Sequence, residues 1–134
     1  MSAEVITHAK FEDTYDEPRH PIPSVDTLDV NVVKKGGGSD LLIVIASPLM
    51  ADDYSKGRLL TRLRNYCLFL STPDFRSESG ESTPDNTSII VELHPDSHPE
   101  ILELLESQQD VVFSHGASLK LRILSASELG PSLN

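Results

Sequence analysis

Leu28, Val30 and Val32 alternate with Asp29 and Asn31, the two-residue period of a strand with one wet face. Gly36-Gly37-Gly38-Ser39-Asp40 follows and reads as a short hairpin loop, because glycine reaches positive φ without a Cβ clash. Leu41-Leu42-Ile43-Val44-Ile45 is apolar without a break. Too short for a typical helix and rich in β-branched residues, it is expected to be a central strand covered on both faces. Beyond Pro48, the residues Asp52, Asp53 and Ser55 offer helix starts. Leu59, Leu63, Tyr66, Cys67 and Leu70 then fall on one helical stripe, an amphipathic helix of roughly four turns. Its other side carries Arg58, Thr61, Arg62 and Asn65, with Phe69 in line with Arg58 and Arg62.

Residues 72–88 are rich in Ser, Pro and acids and read as a mobile connection. Ile89, Val91 and Leu93 alternate with Glu92 and His94 as a third strand. Ser97-His98-Pro99-Glu100 fits a capping box, the serine oxygen taking a free amide and the glutamate reaching back. The helix it opens has Ile101, Leu104 and Leu105 inside and ends near Gln109 or Asp110. Val111-Val112-Phe113 reads as a buried extension or a short strand, and His115-Gly116 as a turn. Leu119, Leu121 and Ile123 alternate with Lys120 and Arg122 as the last strand. The order ββαβαβ predicts an α+β two-layer sandwich, a mixed four-stranded sheet with two helices on one face. That domain is expected over residues 25–124, between an irregular arm at 1–24, acidic and proline-containing, and a polar tail at 125–134.

A chain of 134 residues is long enough for one core without crosslinks. Its single cysteine excludes an internal disulfide and fits a reducing compartment. The start has no basic region followed by an apolar run, and the longest apolar run, 41–46, is too short to span a bilayer, so a cytoplasmic location is expected. A net charge of −10 and a pI near 4.7 argue against nucleic acid, whose affinity comes largely from Lys and Arg displacing counterions.

Chemistry has few anchors. His94 and His98, with Asp96 between them and His8, His20 or His115 elsewhere, are plausible metal ligands, but the intervening proline and turn remove the helical geometry that makes such a pair effective. They are read as surface or capping histidines, and no metal or cofactor is expected. Cys67 lies on the apolar stripe, where a free cysteine packs as a small hydrophobe. The glycine run leads into a strand and lacks the lysine of a phosphate loop. No Gly-x-Ser-x-Gly sequence anchors a serine triad. Lys56, Arg58, Arg62 and Arg64 concentrate positive charge on the first helix, and arginine beside an exposed aromatic is an interface composition. Arg58, Arg62, Asn65 and Phe69 are therefore the candidate interaction residues, to be met either by an external partner or, preferably, by the chain itself, Phe69 packing under the acidic arm or the 72–88 loop, with Phe75 as one mate, and the arginines pairing with the carboxylates of those segments.

The stretch from Asp40 through Ile45 to Asn65-Tyr66, with Val91-Glu92-Leu93-His94-Pro95, resembles a family of small uncharacterised bacterial proteins. The resemblance covers the plan from Val25 to Leu124 and implies a fold of this order, but no activity, cofactor or site residue. A non-enzymatic protein-interaction module of the immunity or adaptor type, with another protein as partner, is the leading expectation. The alternatives are a small-ligand or metal-dependent enzyme using His94 and His98, and a structural subunit of a homo-oligomer.

Overall fold

The computed structural model describes residues 17–129. Most of the expected arm, 1–16, and the end of the tail, 130–134, lie outside the described residues. Strand β1 (Val30–Val33) and strand β2 (Ser39–Ile45) form an antiparallel hairpin. Helix α1 (Asp53–Phe69) and helix α2 (Pro73–Ser79) lead to β3 (Ser88–Leu93), parallel to β2. Helix α3 (Pro99–Ser107) and helix α4 (Gln109–Ser114), separated only by Gln108, lead to β4 (Ser118–Ile123), parallel to β3. The sheet order is β1-β2-β3-β4. This is the expected mixed four-stranded sheet, with α2 added and the second expected helix broken in two.

One face of the sheet meets the helices. Leu41, Ile43 and Ile45 of β2 stand in register with Ile89, Val91 and Leu93 of β3, and these side chains join Leu59, Leu63, Tyr66 and Cys67 of α1, Ile101 and Leu105 of α3 and Val112 of α4 in one core. The helical stripe and the strand alternation thus meet as the two periods require. Val112 belongs to a helical turn rather than to a strand, because one inward valine anchors it while Val111 and Phe113 stay exposed.

Strand β2 departs from the expected cover on both faces. Its burial alternates strictly, and Leu42 and Val44 are only partly buried. The continuous apolar run therefore reflects a strand whose second face is apolar without a helix on it.

The 72–88 connection is not irregular throughout. Thr72 Oγ1 accepts the Phe75 amide, Pro73 occupies the first turn and Gly80 ends α2 at φ 76°, while Phe75 is fully buried. This segment is pinned to the hairpin, where Ser39 and Ser79 share a hydroxyl contact of 2.6 Å and Gly38 N–H donates to Ser79 O at 2.7 Å. At α3 the N-cap lies one residue later than expected and the reciprocal capping box does not form. His98 is the N-cap, its Nδ1 accepting the Glu100 amide, whereas Ser97 Oγ accepts the Leu49 amide at 3.0 Å and the Glu100 carboxylate pairs with Lys56 at 2.9 Å. The shift puts Pro99 at the first helical position, where no amide is missed.

Gly38 has φ 86°, and a Cβ there would lie 2.1 Å from the Asn86 carbonyl oxygen; at Gly36 nothing lies within 4 Å. Gly38→Ala should cost more than about 1 kcal/mol, through strain and collision together, and Gly36→Ala should be near neutral. Urea unfolding of both variants checks this; equal midpoints would contradict the packing of residues 79–86 against the hairpin.

Candidate functional site

The four residues expected at an interaction face are brought together on the outer side of α1, and what they meet is the chain itself. Arg58 and Arg62 are only 1% and 2% exposed. Arg58 Nε donates to Ile22 O at 2.8 Å, Asn65 Nδ2 to Val25 O at 2.9 Å, and Arg62 Nη2 to Thr27 O at 3.0 Å. Phe69 stacks edge-on against Phe75 at 5.5 Å. The intramolecular alternative thus describes these contacts: backbone carbonyls of residues 22–27 accept from Arg58, Arg62 and Asn65, and the Asp29 carboxylate also pairs with Arg62.

Ile22 of the expected arm packs with Val25 against α1. Ile22 and Val25 are fully buried, each such burial being worth about 1.5–3 kcal/mol. Their carbonyls and the His20 ring add hydrogen bonds of about 1 kcal/mol each. Fixing the backbone costs about 1–2 kcal/mol per residue, less at Pro21 and Pro23, whose φ is preset. The balance over residues 20–25 is close, so a single lost contact can release the segment.

Beneath it lies a polar node. Asp29 Oδ1 accepts from Arg62 Nη2 and Oδ2 accepts the Val44 amide at 2.8 Å. Tyr66 accepts the Asp29 amide at 3.0 Å and donates its hydroxyl to Leu42 O at 2.7 Å. The Asp29 carboxylate and the Tyr66 hydroxyl therefore continue the β1–β2 pairing where the main chain of β1 has already turned away. Burial holds the Tyr66 phenol above its ordinary pKa, which keeps it a donor.

Ser55, His20 and Asp52 adjoin one another, but their proton order is wrong for a nucleophile. His20 Nδ1 accepts the Ile22 amide at 2.9 Å, so the neutral ring carries its proton on Nε2, 2.8 Å from Ser55 Oγ. Ser55 in turn donates to Asp52 Oδ1 at 2.9 Å. A catalytic serine must give its proton to the histidine; here it receives one and passes its own to the helix cap. Desolvation, with Arg58 nearby, lowers the His20 pKa against the opposing pull of Asp52 and Glu17. The Ser55 amide and hydroxyl lower that of Asp52.

The other candidate ligands are also spent locally. His94 Nδ1 accepts the Asp96 amide at 3.0 Å, His98 caps α3, and His115 Nδ1 meets Val111 O at 3.0 Å; His8 lies outside the described residues. Among the described residues, no group of three or more His, Cys, Asp or Glu side chains converges. Burial pushes the Cys67 thiol up to about 11, the opposite of an activated nucleophile. No described helix is long and apolar enough to cross a membrane.

Several apolar surfaces remain open among the described residues. A groove of about 400 Å³ runs between α1 and α4, walled by Leu60, Leu68, Val111 and Val112 with Arg64 at its rim. Another is the sheet face opposite the helices. Val30 pairs with Leu42 and Val32 with Asp40, so both valines share that face with Leu42, Val44 and Ile90; they are 42% and 50% exposed. The sequence carried a signal for this face, namely that Leu42 and Val44 are apolar between residues that are themselves buried, but in that strand it read as cover on both sides. No protein-family model, curated protein or solved structure matches the chain.

Tyr66→Phe should destabilise the fold by about 1–3 kcal/mol, the cost of stranding the Asp29 amide and the Leu42 carbonyl; an unchanged urea midpoint would show that the node is dispensable. For His20 the sign follows from its lowered folded-state pKa. The unfolded chain binds the proton more readily, so the contribution is fully present above about 6.5, the unperturbed pKa, and is lost as pH falls below it. Exchange protection of the Ile22 amide, corrected for intrinsic rate, should therefore drop between pH 7.5 and 5.5 more than that of Ile43. Parallel behaviour of the two amides would remove His20 as the cause.

Proposed function

We propose that this chain is a non-enzymatic protein-interaction module, of the adaptor or immunity type, whose docking surface is the uncovered face of the sheet rather than the arginine face of α1. The observation that carries the reading is the parallel ladder β2-β3-β4 with the described helices on one side only. Sheets whose strands are all parallel occur almost entirely with both faces covered; three of the four strands here are parallel, and the second face presents Val30, Val32, Leu42, Val44 and Ile90. An apolar surface rimmed by polar groups is a mark of interaction sites.

The polar chemistry of the chain supports the same reading. Ser55, His94 and His98 each serve a cap or a turn, and Arg58, Arg62 and Asn65 hold residues 22–27. The acidic surplus of the whole chain, −10, favours solubility.

A double substitution, Val30→Lys with Val32→Lys, tests the assignment. Both positions are exposed, so the isolated fold should change by no more than about 0.5 kcal/mol per site. Affinity capture from the native source should lose the proteins retained by the wild type, with the thermal midpoint nearly unchanged. Identical capture by the two forms would remove the sheet face as the docking surface.

A further inference from the structure

Charge is distributed unequally between the two sides of the molecule. On the open sheet face Asp40 pairs with Lys34 at 3.3 Å, Glu92 with Arg122 at 3.4 Å, and Arg122 also meets Glu128 of the following turn. Lys120, in register with Ile90, completes a set in which the carboxylates Asp40, Glu92 and Glu128 equal the cations Lys34, Lys120 and Arg122. The face is neutral and most of its ions already have partners. The negative excess of the described residues lies elsewhere, in loop acids such as Glu81, Asp85 and Asp96 and in Glu100, Glu103 and Glu106 of α3, while α1 is basic through Lys56, Arg58, Arg62 and Arg64.

We propose that the open sheet face joins two copies of this chain, sheet against sheet, with the helical layers outward. The inference rests on the interaction reading above and names its partner. A basic or acidic protein would find few unspent charges on this face, whereas a second copy needs only an apolar surface that complements itself. The arrangement also keeps the acidic α3 of each copy away from the contact, where repulsion is best screened. It would cover the second face of the parallel ladder, in the aligned stacking usual for two sheets about 10 Å apart.

The free edge of β4 is the competing surface, since Leu121 and Ile123 are exposed there. Two-fold edge pairing that keeps those residues on one face sets residues of like parity opposite each other. Lys120 and Arg122 of the two copies then face one another, and like charges directly opposite are destabilising. Strands of about 20 Å spaced about 4.8 Å apart make a face of roughly 400 Å² in projection, or about 800 Å² for the two copies, below the roughly 1,200 Å² of stable interfaces and in the range of weak association. The dimer should therefore depend on concentration.

Sedimentation equilibrium of the full chain, from about 1 to 500 μM, spanning the range of weak and transient complexes, tests the proposal. Wild type should pass from monomer to dimer, and added salt should not weaken the dimer. Val30→Lys with Val32→Lys should raise the dissociation constant at least about 100-fold, since it sets like charges in a desolvated centre. Leu102→Lys, on α3, should leave it unchanged. In a mixed-isotope wild-type sample, intermolecular NOEs should link the methyl groups of Val32, Leu42 and Val44, a result that needs no variant to fold. A chain that is monomeric throughout, or a dimer indifferent to the lysines, overturns the proposal. A monomeric wild type whose capture of another protein is lost in the lysine variant overturns self-association alone; a dimer and a capture both indifferent to the lysines overturn the interaction reading as well.

Discussion

The carboxylate of Asp29 sits where β1 leaves the sheet, and it serves two layers at once. One oxygen takes the Val44 amide of β2 and the other takes Arg62 of α1, while Tyr66 closes the ring from the Asp29 amide to Leu42 O. The β-ladder is thereby continued by side chains at the point where the main chain must turn toward the helix. Arg62 is buried, and a buried charge is tolerated only when its partners are in place, because removing one leaves an uncompensated ion at a cost of about 3–5 kcal/mol. The position of α1 on the sheet and the exit angle of β1 are therefore set together.

From that node the chain runs back along α1 by a succession of shared hydrogen bonds. Thr27, Val25 and Ile22 offer carbonyls to Arg62, Asn65 and Arg58, and His20 engages Ser55 beside the helix N-cap. Segment 20–27 thus covers the helix as an extra strip of backbone with buried anchors at Ile22 and Val25. The arginines suit this use because a guanidinium presents several donors in a fixed fork and can satisfy carbonyls in a place where a helix side chain of either class alone, apolar or short polar, could not. The helix is wrapped on two sides, by the sheet and by this strip, which leaves the far face of the sheet open.

The consequence is a molecule with two unlike sides. The helical side carries charge of both signs, the basic α1 beside the acidic α3, and the sheet side is apolar with most of its ions internally matched. A surface of the second kind recognises shape and apolar area more than charge, which is why the interaction reading moves from the arginines to the strands.

How much of this was legible in the chain depends on the range of the interaction involved. Strand alternation, the stripe Leu59-Leu63-Tyr66-Cys67-Leu70, the glycine hairpin and the order of elements follow from local periodicity and turn chemistry, and these determined the mixed sheet with helices on one face. Helix α2 was missed because a seven-residue helix with one buried phenylalanine has almost no period to read. The capping box expected at Ser97 does not form because the hydroxyl has a rival partner in Leu49, distant in sequence. The candidate residues Arg58, Arg62, Asn65 and Phe69 were found by composition, yet whether they face a partner or residues 22–29 is a long-range fact. The sequence by itself determined which elements form and which of their faces are apolar. Only the tertiary structure decided which apolar faces are covered, because cover comes from segments far apart along the chain and local periodicity records a face without recording what lies against it.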